Sequence, residues 1–130
     1  MCVKLFLIVR NETFVHVFSE FLAKVIDAEV IGHSKPGPDA EPLVLQMQPD
    51  IIMMDVKKEN PYYFEAIRSI LQKNPMAKII GISSIFHEDV KATLRQIGAK
   101  GYLLRSVDLQ GIKKIIQQVE MEETDFAMAI

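Results

Sequence analysis

Apolar residues along this 130-residue chain fall into two alternating kinds of segment. The first is a short unbroken run, at 3–9, 29–31, 51–54, 79–82 and 102–104, dominated by Val, Ile, Leu and Met. Such runs are too short for a helix, and their lack of polar alternation marks strands covered on both faces. The second kind repeats at i, i+3, i+4 and i+7, which lays one apolar stripe along a helix. Phe14, Val17, Phe18, Phe21, Leu22 and Val25 form the first stripe, with Asn11 or Thr13 placed to cap it. Phe64, Ile67, Ile70 and Leu71 form another; Val90, Leu94 and Ile97 follow, ahead of Gly98, a good stop signal. Leu109, Ile112, Ile115, Ile116 and Val119 form the last, behind Asp108 as its cap. The breaker Pro36-Gly37-Pro38-Asp39 leads into a short helix over 40–47, with Pro42 in its first turn.

Strand followed by helix, five times over with short connections, predicts an α/β fold. The expected architecture is a doubly wound five-stranded parallel sheet, order 2-1-3-4-5, with five helices joined by right-handed crossovers. Residues 1–120 make the domain. Residues 121–130, acidic and then apolar, read as a tail or the start of a linker.

Composition narrows the function classes. At 49% hydrophobic and 25% charged, the chain has enough apolar mass for one core and no length for a second domain. Fifteen Lys and Arg against seventeen Asp and Glu give a net charge of −2, so no global field recruits nucleic acid or an anionic membrane. Lys113-Lys114 is a pair and not a basic patch. Cys2 is the single cysteine, which excludes an intrachain disulfide framework and fits a reducing cytoplasm. No apolar run reaches the ~18 residues of a membrane span. The start lacks a small-residue cleavage site, so a signal peptide is not expected.

Open parallel sheets place their sites beyond the carboxyl ends of the strands. The first strand leaves through Arg10-Asn11-Glu12, the third through Asp55, the fourth through Ser83-Ser84 and the fifth through Arg105. The second leaves through Gly32-His33-Ser34, at the sheet edge. These exits converge on one rim. It is no nucleotide cradle, because the loop after the first strand has no glycine to let backbone approach a phosphate. Neither Ser83 nor Ser84 is framed by glycines as a nucleophile elbow requires. His16, His33 and His87 lack metal-ligand spacing. The expectation is a chain that is not an enzyme.

Three stretches carry a family resemblance over about 3–119. Gln48-Pro49-Asp50-Ile51-Ile52-Met53-Met54-Asp55-Val56 resembles the "PDLVLMDI" strand of response-regulator receiver domains. Glu65-Ala66-Ile67-Arg68 falls where receivers often carry "EAL/IR". Gly98-Ala99-Lys100-Gly101-Tyr102-Leu103-Leu104-Arg105 resembles "GAxGYLLK", in wording similar to receivers of the NarL/LuxR type, which usually precede a DNA-binding helix-turn-helix. The resemblance implies a CheY-like, flavodoxin-like fold. It makes Asp55 the phosphoacceptor position, Ser83 and Tyr102 the switch pair, and Arg105 the occupant of the family's invariant-lysine position. It also implies a sensor histidine kinase as partner. An output domain or partner protein would be contacted through the 88–119 face, with a homodimer left open. This domain by itself would bind neither nucleic acid nor membrane.

The departures bear on mechanism. Typical receivers hold Mg²⁺ with two adjacent acids after the first strand and the phosphoacceptor; Arg10 and Asn11 stand at those positions, and Glu12 comes one residue late. The three metal candidates left, Asn11, Glu12 and Asp55, make a weak set. Two unit charges ~5 Å apart at an effective dielectric near 20 interact by ~3 kcal/mol, so Arg in place of an acid costs several kcal/mol of metal affinity. Mg²⁺ binding is therefore expected to be weak or absent, and Mg²⁺-dependent phosphorylation of Asp55 impaired. In that reading the guanidinium groups of Arg10 and Arg105 both pair with Asp55; in the other, Arg10 points to solvent. Two rival functions stay open. One is a working phosphoacceptor, with Glu12 reaching the metal, that controls a transcription-regulating output. The other is a small anion-binding flavodoxin-like module. Ser83 and Tyr102 either couple the rim to the fourth helix or only fill and satisfy local structure, and Lys57 either overhangs the rim or is solvated.

Overall fold

In the computed structural model, which describes residues 2–25 and 27–130, strands and helices alternate along the whole chain. The strands are β1 (Val3–Ile8), β2 (Ala28–Ser34), β3 (Ile51–Asp55), β4 (Lys78–Ser83), β5 (Gly101–Leu104) and β6 (Ala127–Ala129). The helices are α1 (Glu12–Val25), α2 (Ala40–Met47), α3 (Tyr62–Lys73), α4 (Glu88–Ile97) and α5 (Leu109–Glu120). The side chain of Val25, last in the first stripe, lies outside the described residues, as do residues 1 and 26 of the expected domain.

All strand pairs are parallel, in the order β2-β1-β3-β4-β5-β6. The expected order of the first five holds, but the sheet has six strands. Residues 121–130, expected as a tail or the start of a linker, return after α5, and Ala127–Ala129 lie beside β5. Ala127, Met128 and Ala129 have little intrinsic strand preference. What makes them a strand is the free edge of β5, where the Ala127 amide donates to the Lys100 carbonyl at 2.9 Å.

Because successive strand residues face opposite sides, each buried strand feeds two cores. Leu5, Leu7, Ile51, Met53, Ile80, Ile82 and Leu103 pack beneath α1 and α5. Phe6, Ile8, Ile52, Met54, Ile79 and Tyr102 pack beneath α2, α3 and α4. Gly81 allows the close seat of α4, since a Cβ there would stand 2.7 Å from Leu94 Cδ1.

Helix ends fix the loops of the rim. Asn11, rather than Thr13, caps α1: its Oδ1 accepts from the amides of Thr13 at 2.9 Å and Phe14 at 3.4 Å. Asp108 caps α5 through the Gly111 amide at 2.9 Å. Gly98 closes α4 at φ 101°, a conformation that favours glycine. The chain passes from β1 outward to β2 and then returns to β3 on β1's other side. The carboxyl ends of β1 and β3 therefore flank the point where strand order reverses.

Candidate functional site

Asp55 is the last residue of β3 and is only 4% exposed. Both its carboxylate oxygens are engaged. Oδ1 pairs with the Arg105 guanidinium. Oδ2 accepts the backbone N–H of Arg10 at 2.9 Å. Strand pairing produces this convergence. β1 lies next to β3, so the amide leaving β1 reaches the end of β3. Arg105 leaves β5 with its own amide bonded to the Ser83 carbonyl at 3.0 Å, which aims its side chain back over β3. The Arg105 guanidinium also lies 5.1 Å from the centre of the Phe14 ring. One face of the cation is thus covered by α1 while its edge meets the acid.

Arg10 departs from the expected double pairing. Its backbone, not its guanidinium, contacts Asp55, and the guanidinium sits 5.4 Å above the centre of the Tyr63 ring. It does not simply point into solvent either. Tyr63 is buried at the start of α3 and offers a flat electron-rich surface, whereas the second Asp55 oxygen is already taken. Phe14 reads in the sequence only as a member of the first helical stripe, and no pattern there marks Tyr63 as a platform for a cation.

Around Asp55 lies an open cleft of about 440 Å³. Arg10, Lys57, Lys58 and Arg105 line it against the acids Asp55 and Glu59, with Ser83, Ser84 and His87 on the far wall. Lys57 therefore does border the rim. Lys58 reaches Asp89 of α4 at 3.5 Å, an exposed pair of small energetic weight.

The donor set does not fit a divalent metal. Mg²⁺ takes six oxygen ligands in near-ideal octahedral geometry, usually anchored by carboxylates. Here the one buried acid already serves a guanidinium and an amide. Asn11 spends its Oδ1 on the cap of α1, and Glu12 is exposed in that helix's first turn without lining the cleft. Among the described residues no group of three or more His, Cys, Asp or Glu converges as a metal site.

Beside this pair runs a second, neutral network. Tyr102 is fully buried, and its hydroxyl lies 2.7 Å from Ser83 Oγ. Ser83 Oγ donates to the Ile85 carbonyl at 2.8 Å, and the His87 amide donates to the Tyr102 hydroxyl at 3.3 Å. One proton order runs His87 N–H to Tyr102, Tyr102 O–H to Ser83 and Ser83 O–H to Ile85, with the Tyr102 hydroxyl also 3.3 Å from the Ile85 carbonyl. Phe86 stacks on the Tyr102 ring at 5.8 Å. The loop between β4 and α4 is thus tied to β5 by its backbone, and Ser83 sits at the junction of that tie with the cleft.

The surface over α4, β5 and α5 is altered by the sixth strand. Residues 101–103 do not form a sheet edge, because β6 pairs with them. Phe126 packs among the buried residues on the α4 side, with the Arg95 guanidinium 5.9 Å above its ring.

No protein-family model matches the chain. Curated relatives include the response regulator GacA of Pseudomonas aeruginosa, 29% identical over 101 residues, covering 78% of this chain and 47% of GacA. The transcriptional regulatory protein DegU of Brevibacillus brevis is 26% identical over 117 residues, covering 90% of this chain and 50% of DegU. The transcriptional regulatory protein LiaR of Bacillus subtilis is 33% identical over 86 residues, covering 66% of this chain and 41% of LiaR. The chain thus spans about half the length of the curated relatives it matches. Among solved structures, the signal receiver domain of the putative response regulator NarL from Mycobacterium tuberculosis superposes with a TM-score of 0.80 at 18% identity, covering 92% of this chain and 96% of that one. The response regulator domain of Thermotoga maritima CheB gives 0.75 at 20% identity, covering 93% and 98%.

Proposed function

We propose, from the premise that the homologues of this chain are response regulators and its fold is that of a receiver domain, that it is an atypical receiver. It works in two-component signal transduction by protein–protein contact, and Mg²⁺-dependent phosphorylation of Asp55 is impaired. The observation that carries this reading is the occupation of both Asp55 oxygens by Arg105 and the Arg10 amide. A carboxylate so held is a poor nucleophile toward a phosphodonor, and among the described residues no cluster of acids converges with Asp55 to bring a metal to the developing charge. The Arg105 cation does for the folded rim what a metal does elsewhere: it neutralises the buried acid.

Signalling then proceeds either from one fixed conformation or through an event other than phosphoryl transfer. The partners in this reading are a sensor histidine kinase and an output domain or separate protein meeting the 88–119 face, in the cytoplasm. The names of DegU and LiaR, together with the half-length coverage, favour transcription regulation as the output.

The experiment is incubation with a small-molecule phosphodonor and Mg²⁺, read by intact-mass spectrometry beside a typical receiver. The expected result is no phosphoryl adduct under conditions that modify the control. An adduct abolished by Asp55→Asn overturns the proposal in favour of a working phosphoacceptor.

A further inference from the structure

The two edges of the sheet are built differently. β2, at one edge, exposes Glu29 and His33, and its register against β1 is irregular between Leu5 and Phe6. Charges and bulges of this kind protect an edge from pairing with another chain. β6, at the other edge, reads Ala127-Met128-Ala129 and is followed by the exposed Ile130. It has no charge, no proline and no bulge.

Its backbone polarity follows from the pairing with β5. The Ala127 amide bonds the Lys100 carbonyl, and Ala127 and Ala129 stand opposite Gly101 and Leu103. Alternate residues of a strand address opposite neighbours, so the N–H and C=O of Met128 face outward, where no strand among the described residues lies. Phe126, the previous outward residue, has its N–H and C=O engaged by Thr124 Oγ1.

Charge supplies the direction of pairing. α5 runs back across the sheet, which puts Lys114 in one groove with Met128, Ala129 and Ile130, at the carboxyl end of β6. Asp108, the acid at that end, is spent on its helix cap. Glu122, Glu123 and Asp125, all exposed, precede the amino end. Two β6 strands set side by side in parallel would place like charges together. Set antiparallel, each acidic end meets the other copy's Lys114.

We propose that a second copy of this chain pairs with the open edge of β6, antiparallel and two-fold, with Met128 opposite Met128. In an antiparallel ladder such a pair exchanges both N–H···O bonds. The patch is self-complementary, as a two-fold interface requires. It is also short, which makes the dimer weak and concentration-dependent. The pairing joins two sheets into one and carries the α4 and α5 faces of two receivers into a fixed relation.

Sedimentation velocity from about 10 µM to about 1 mM tests this. The wild-type mass should climb from one toward twice the chain mass of 14.8 kDa. Met128→Pro removes the outward N–H without touching the β5 ladder, and should raise the dissociation constant at least about tenfold. Lys114→Glu should weaken the dimer, and adding Glu122→Lys and Glu123→Lys should restore it. The charge variants carry the test if the proline variant fails to fold. A wild-type chain that stays monomeric throughout overturns the proposal. So does a dimer indifferent to both sets of substitutions, which would place the interface elsewhere.

Discussion

Replacing Arg105 by Met would leave a carboxylate in the interior with one amide for company. The side chain of Asp55 is 6% exposed and that of Arg105 is 29% exposed, so the two ends of the pair are not equivalent. Removing one partner of a fully buried pair costs about 3–5 kcal/mol, mostly because the other charge is stranded. Arg105 keeps one side toward water, which lowers its share of that figure. Arg105→Met should therefore destabilise the domain by about 2–3 kcal/mol, including its lost packing on Phe14. Asp55→Asn should cost less, about 1 kcal/mol, because Arg105 can turn its fork to solvent. The double variant should cost less than the sum, with a coupling of at least ~1 kcal/mol. Urea unfolding followed by circular dichroism reads this directly, since at an m-value of ~1.5 kcal/mol/M the Arg105 variant loses about 1.3–2 M in midpoint. Equal effects of the two single variants, or a coupling below ~0.3 kcal/mol, would refute the view that Arg105 neutralises a buried acid.

Three further outcomes follow from the same contacts. Tyr102→Phe removes the centre of the hydroxyl chain and leaves the His87 amide short of its acceptor; it should cost about 1–2 kcal/mol and speed hydrogen exchange at His87, measurable by NMR. Hydrogen bonds from Lys73, then from Ser69, together with the Lys73 charge, hold the Glu41 carboxyl below its ordinary 4.5, against a smaller opposing effect of burial. A folded-state value below the unfolded one gives stability that is present above pH 4.5 and lost as pH falls through the folded value. Lys73 is largely exposed and Glu41 only 24% exposed, and with one partner in water Glu41→Gln should flatten that part of the stability–pH curve by less than about 1 kcal/mol. Arg10→Asp with Asn11→Asp places two acids beside Asp55 and should create Mg²⁺-dependent amide chemical-shift changes that the unsubstituted chain does not show.

Periodicity made most of the fold legible. Apolar runs marked the four buried strands and the edge strand β2, and the i, i+3, i+4 stripes marked α1, α3, α4 and α5, because both patterns report burial; α2 was read from the breaker ahead of it. β6 escaped, since Ala-Met-Ala after an acidic stretch carries no such pattern; its strand conformation is imposed by the β5 edge. The site was legible at the level of strand ends, which placed Asp55, Ser83 and Arg105 on one rim, whereas Tyr102 entered only through the family resemblance. Residue type failed for Arg10. Sequence assigns a guanidinium to the nearest carboxylate, but here the backbone N–H of the same residue holds the acid and the side chain finds Tyr63. Asn11 carried two readings, degenerate ligand and helix cap, and its amide oxygen serves the cap of α1.

The central claim is that a guanidinium stands in for a metal at this rim, and Mg²⁺ titration followed by amide NMR shifts tests it most directly. The account predicts no saturable change at Arg10, Asp55 or Arg105 up to about 10 mM Mg²⁺, consistent with several kcal/mol of lost affinity. Saturation below ~1 mM, abolished by Asp55→Asn, would contradict it.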